Sequence, residues 1–168
     1  MSSKSNLHAE LLTVQIENII MWAKRDLYEC LKKHSIETSH YALRWSLCFM
    51  LREFPLRDSI VIWDSLISQG FSSFIQPLAA NYILQFADMI MMMTIESLLI
   101  FFNSMPILWD ESGIKDFIAD SKALQIAYQR YLKESVGSDG ELLDSLDDSP
   151  GSKGEPTPLD KEFFDYYF

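Results

Sequence analysis

Chemistry-bearing residues are scarce in this 168-residue chain. It has two cysteines, Cys30 and Cys48, and three histidines, His8, His34 and His40, with no short metal-site spacing among them. A Cys/His zinc framework is therefore not expected, and the two thiols read as reduced, buried core residues. No glycine-rich phosphate loop and no nucleophile elbow occur. Alternating apolar–polar runs are nearly absent, so strands are not expected. Basic charge is also short: 14 Lys and Arg face 24 Asp and Glu, for a net −10. That balance repels phosphate backbones and argues against nucleic-acid binding. The first residues are polar with no apolar run behind them, so no signal peptide is expected.

The acidity is unevenly placed. Residues 1–133 hold 14 acidic and 12 basic groups, whereas residues 134–168 hold 10 acidic and 2 basic. Four of the six glycines and three of the six prolines also fall in 134–168. Such a stretch buries too little apolar area to offset its ordering entropy. The expected organisation is one domain over 1–133 and a disordered acidic tail over 134–168.

What is plentiful is apolar residues at helical spacing, 48% of the chain with 13% aromatic. Leu12, Ile16, Ile19 and Ala23 share one helix face, and a short helix from Asp26 to His34 follows. Residues 39–54 form the next, with Ser39 as its cap and apolar groups round most of its circumference. That pattern marks a central helix. Pro55 ends it, and a helix from Leu56 to Ser68 closes at Gly70. Pro77 is placed in the first turn of a helix reaching Met92. Thr94 caps another helix that ends before Pro106, and a last helix spans about 113–133. The fold class is all-α, a packed helical bundle.

Residues 74–102 are apolar enough to raise the question of a membrane span. Pro77, Asn81, Gln85, Asp88 and Glu96 interrupt them, and carboxylates at bilayer depth are costly. Two buried helices are expected instead. Asn81, Gln85 and Asp88 recur at i, i+4 and i+7 as one polar stripe. The stripe could satisfy backbone in the core, face solvent or contact a partner; a solvent- or partner-facing surface is favoured. The methionines between Met89 and Met93 suit adaptable packing.

Residues 36–64 read IETSHYALRWSLCFMLREFPLRDSIVIWD. The elements ALRW, REFPL and IWDSL at this spacing resemble the C-terminal half of TBC domains, the catalytic domains of Rab GTPase-activating proteins. DLYECLKKHSIE before them resembles the short helix that precedes that block, and the likeness extends loosely over about 10–130. The matching positions are Arg44, Trp45, Arg52, Glu53, Phe54, Pro55, Trp63 and Asp64. The resemblance implies an all-α second lobe and a Rab-type GTPase as partner. It also implies action in vesicle trafficking, at a cytoplasmic site peripheral to endomembranes, and no cofactor or metal.

TBC domains insert an arginine from an I-x-x-D-x-x-R motif and a glutamine from a Y-x-Q motif beside Rab-bound GTP. The arginine neutralises charge on the transferred phosphoryl and the glutamine orients water. Neither motif occurs here in a fitting context, so no catalytic residue is carried over. The chain is expected to be a partial domain rather than a complete GAP. The alternative is a non-catalytic module that binds a GTPase, an N-terminal TBC half or another trafficking protein. Arg44 and Arg52 are expected to pair with Glu53 or Asp64 and hold helices in register. Trp45 and Trp63 are expected in the core. In the tail, Ser145 and Ser149 are candidate phosphorylation sites, and the terminal LDKEFFDYYF is a candidate docking segment.

Overall fold

The computed structural model describes residues 3–103 and 111–138. These form α1 (Ser3–Ala23), α2 (Arg25–Lys33), α3 (Ser39–Cys48), α4 (Leu56–Gln69), α5 (Phe71–Leu84), α6 (Ala87–Met91), α7 (Ile95–Asn103) and α8 (Glu111–Ser138). There is no strand among the described residues. The all-α bundle expected from the sequence is the fold. The proposed phosphorylation sites and the terminal docking segment lie outside the described residues.

The centre of the bundle is α5, not α3. Every α5 residue from Phe74 to Leu84 is buried, and α8, α1 and α4 pack around it. Ala79 and Ala80, both fully buried, keep that cylinder slim enough for neighbours on several sides. By contrast, α3 buries Tyr41, Ala42 and Trp45 but leaves Leu43 and Leu47 exposed. Its all-round apolar pattern therefore overstates its burial.

Pro77 lies inside α5 rather than in a first turn. A proline there has no N–H for the carbonyl four residues back, and its ring crowds that carbonyl. The freed Ser73 carbonyl instead accepts a 2.8 Å hydrogen bond from Gln125 Nε2 on α8. The helix starts earlier because Gly70 turns the chain at φ +88°. A Cβ there would meet Ser73 Oγ at 3.0 Å, so glycine allows α4 and α5 to be joined by one residue.

Two other boundaries move. The expected single helix from Pro77 to Met92 is broken after Leu84, where no glycine or proline marks it. The turn brings Phe86 inward against Tyr82 and Phe101, with ring centroids 5.7 and 5.3 Å away. The expected 39–54 helix stops at Cys48, and Phe49 and Met50 adopt left-handed φ of 52° and 62°. Such conformations cost on the order of 1 kcal/mol each for non-glycine residues. The turn buries Met50 and Phe54, at 1% and 5% exposure, which offsets the cost. At the other end of the chain, α8 runs to Ser138 instead of ending at Lys133.

Helix α1 packs mainly on α5 and touches α8 through aromatic rings. Ile16, Ile19 and Ile20 of α1 are buried. Trp22 packs on Tyr128 and Tyr131 with centroids 5.2 and 5.5 Å apart. Thr94 Oγ1 accepts from the Ser97 N–H at 3.4 Å and so caps α7. At α3 the capping position is Thr38, and Ser39 instead donates to the Glu37 carboxylate. Cys30 and Cys48 are unpaired and half-buried.

Candidate functional site

The residues of the ALRW, REFP and IWD elements converge on one corner, where α3 turns through residues 49–55 into α4. Arg44 Nε donates to Glu53 Oε1 at 3.0 Å, and its Nη2 donates to the Phe102 carbonyl at 3.1 Å. One guanidinium therefore holds α3, the turn and the end of α7. Glu53 is 6% exposed. A charge so placed is stable only with its partner present. Arg52 and Asp64 are exposed and do not share in this ion pair.

The aromatic members are structural in the same corner. Trp45 is fully buried, with Tyr41 at 5.1 Å and Tyr82 at 5.3 Å between centroids. Its indole N–H has no acceptor among the described residues. Phe54 packs on Tyr82 and Phe117, with centroids 5.2 and 5.8 Å away. Pro55 occupies the N-cap position of α4, and Ser59 Oγ returns to the Phe54 carbonyl at 3.2 Å. Trp63 is half-buried rather than fully in the core. Its Nε1 donates to the Phe49 carbonyl at 3.0 Å. That carbonyl lies at the left-handed end of α3, where the helix can no longer supply a donor. Burial, with Glu53 nearby, pushes the Tyr82 hydroxyl pKa well above the usual phenol range, so it stays protonated.

The polar stripe divides between core and rim, which corrects its reading as one partner surface. Asn81 is fully buried. Its Nδ2 donates to the Phe117 carbonyl at 3.1 Å and to Ser121 Oγ at 3.0 Å, tying α5 to α8. Gln85 is exposed and lies 3.5 Å from Asn81 Oδ1. It also bonds Asp120, whose pKa is raised by burial and by Asp116 despite that bond. Asp88 is exposed and pairs with Lys24 at 2.8 Å.

Four further contacts were not read from the sequence. Gln125 Nε2 on the Ser73 carbonyl satisfies the acceptor freed by Pro77, and no local signal near Pro77 points to it. Gln76 Nε2 reaches Gln15 Oε1 at 2.8 Å across α5 and α1. Glu17 accepts from Thr38 at 3.2 Å and from Lys32 at 2.7 Å, and that hydrogen bond is the main reason the Lys32 pKa is raised. Between α1, α5 and α8 lies an uncharged cleft of about 240 Å³, lined by Gln15, Gln76, Pro77, Gln125, Tyr128 and Gln129 among others. Among the described residues no group of three or more His, Cys, Asp or Glu converges as a metal site would. No described helix is long and apolar enough to cross a membrane.

A Rab-GTPase-TBC domain model matches residues 1–110. The chain is 26% identical over 117 residues to TBC1 domain family member 22A of Homo sapiens, covering 67% of this chain and 23% of that protein. It is 43% identical over 47 residues to TBC1 domain family member 5 of Homo sapiens, covering 28% of this chain and 6% of that protein. It is 33% identical over 58 residues to GTPase-activating protein GYP1 of Saccharomyces cerevisiae, covering 33% and 9% respectively. The chain thus spans about a quarter of the length of TBC1 domain family member 22A.

Proposed function

Because the chain belongs to the Rab-GTPase-TBC domain family, we propose that it acts in the regulation of Rab GTPases, as a partial domain that does not accelerate GTP hydrolysis by itself. GAP catalysis needs a positive group delivered to the transferred phosphoryl and a group that orients the attacking water. The observation that carries the reading is the commitment of Arg44. Its guanidinium already has an acid and a backbone carbonyl on two other segments. An arginine held this way is a poor candidate for insertion beside a nucleotide. The absence of both finger motifs from the sequence supports the same conclusion. The domain, expected over 1–133, is taken to extend to the end of α8 at Ser138, and its site of action is taken as the cytoplasmic face of endomembranes where Rab proteins reside.

A single-turnover GTP hydrolysis assay on a panel of Rab proteins tests this. Rates equal to the intrinsic rate are expected. Acceleration of the size an intact GAP gives would overturn it.

A second reading, a non-catalytic interaction module, is favoured by the outward apolar side chains of α3 and α7. Leu43, Leu47, Leu99 and Ile100 are all exposed, and faces of this kind mark interaction surfaces. A GTPase or an N-terminal TBC half supplied by another polypeptide would suit them. Pull-down with Rab proteins and with such a half, with and without Leu47→Glu, separates the two readings. Retention of a partner by the native chain alone supports the module.

A further inference from the structure

One outward face of α4 carries an apolar stripe and charges of both signs. Leu56, Ile60, Trp63 and Ile67 follow one another at spacings of four, three and four residues, which sets them on a single stripe. Leu56, Ile60 and Ile67 are 68%, 51% and 75% exposed. Trp63 is half-buried, with its Nε1 fixed on the Phe49 carbonyl. The other side of α4, with Ser59, Ile62 and Leu66, faces the core. Arg57 and Asp64 each follow a stripe residue and stand two turns apart, so they line the same flank. Asp64 is exposed and makes no ion pair among the described residues. Arg57 Nε bonds Asp58 at 3.2 Å, yet the arginine side chain is 62% exposed. A guanidinium carries five donors and can join two carboxylates at once.

The two signs are arranged so that the face complements itself. When two such helices pack antiparallel about a two-fold axis, the same flank of each comes together, end for end. An axis passing near Ile60 and Val61 sets Leu56 against Ile67 of the second copy and Ile60 against Trp63 of the second copy. It also sets Arg57 beside Asp64 of the second copy, once at each end of the contact. We propose that this face of α4 joins two copies of the chain as an antiparallel, isologous dimer. The charges select that occupant. A partner of one sign would leave either Arg57 or Asp64 facing its own charge, whereas a second copy satisfies both. The outward face of α7 cannot do the same, because Ile95, Leu99 and Ile100 are accompanied by Glu96 and by no cation. On α8 the exposed Ile126 and Leu132 are six positions apart and do not share a stripe. Residues 1–133 hold 14 acidic and 12 basic groups, so net charge on the body hardly opposes the approach of two copies. Two helices of this length cover less than the about 800 Å² per partner of a standard interface, so the dimer is weak and reversible.

Sedimentation velocity of the full chain, over a micromolar to submillimolar series, is the test. The native chain should pass reversibly from monomer to dimer and no further, since a two-fold contact closes on itself. Asp64→Arg opposes like charges at both ends of the contact and should weaken dimerisation by more than about tenfold. Adding Arg57→Asp to that variant returns opposite signs to each end and should restore the dimer. Because Arg57 also serves Asp58, Ile60→Glu gives an independent arm. It should abolish the dimer, whereas Ile100→Glu on α7 should leave it intact. Thermal melting by circular dichroism verifies that each variant is folded at the temperature used. A native chain that stays monomeric across the series would overturn the proposal. So would a dimer that survives Asp64→Arg or Ile60→Glu, a folded double variant that stays monomeric, or growth into larger species.

Discussion

Helices α5 and α7 are alike in sequence and opposite in setting. Both are apolar on most of their circumference, and each ends near an aromatic pair. Yet α5 is enclosed, with Phe74 through Leu84 all buried. In α7, Leu98, Phe101 and Phe102 are buried while Ile95, Leu99 and Ile100 face outward. The difference lies in what each offers its neighbours. Ala79 and Ala80 are small and buried, Asn81 bonds α5 to α8, and Gln76 bonds it to α1. α7 has no such small or polar inward position, and the Arg44 contact to the Phe102 carbonyl ties down its end. Apolar content alone thus does not locate a core. Small residues and satisfied polar groups do.

Substitutions can break this contrast, and the largest effect belongs to the aromatic centre. Trp45→Ala should cost ~3–5 kcal/mol, because it empties a large enclosed volume between Tyr41 and Tyr82. Urea denaturation followed by circular dichroism measures it, and a midpoint within error of the native chain would place Trp45 outside the core.

Arg44→Ala comes next. It leaves Glu53 buried and unpaired, and because the arginine is itself partly exposed the loss should fall near the lower end of the range for such pairs, about 3 kcal/mol. A sharply lowered melting temperature is the expected readout. Asn81→Ala removes two bonds between α5 and α8 and should cost ~1–3 kcal/mol. If Asn81 instead faced a partner, thermal melting would be unaffected.

On the α7 side the expected effect is small. Ile100→Glu should shift stability by no more than about 0.5 kcal/mol, since the residue is exposed. It should also raise solubility, as seen by static light scattering, by interrupting an apolar face.

The smallest effect is at Asp120. Its folded-state pKa is raised by burial and by Asp116. Stability from this group is therefore full below its unfolded pKa and lost as pH rises through the folded one. Asp120→Asn should raise the melting temperature slightly at neutral pH. The gain should vanish below the ordinary aspartate range, and a gain that persists there would contradict the assignment.

Helical periodicity made the fold class and most of the elements legible. It put Leu12, Ile16 and Ile19 on one helix face, and all three are buried. What it could not supply was tertiary compensation. A lone Pro77 reads as a helix start because local rules penalise it inside one, and the distant Gln125 supplies a donor to the carbonyl it leaves free. The left-handed Phe49 and Met50 carry no glycine to announce them, and the turn is stabilised by burial of Met50 and by Trp63 from fourteen positions on. Asn81 looked like part of an outward stripe because its partners, the Phe117 carbonyl and Ser121, lie on a helix far along the chain. At the corner, the motif included Arg44 and Glu53, which meet, and also Arg52 and Asp64, which take no part in their pair. That Arg44 reaches Glu53 rather than Asp64 depends on the unannounced turn.

The claim on which the functional reading depends is that Arg44 and Glu53 act as one structural unit. A double-mutant cycle of Arg44→Ala, Glu53→Ala and the pair, read by urea denaturation, measures it directly. The expected result is a coupling of about 1–3 kcal/mol, with the double variant more stable than the two single losses would sum to. Strictly additive losses would show that the guanidinium is free of Glu53, and would remove the ion pair from the account of the corner.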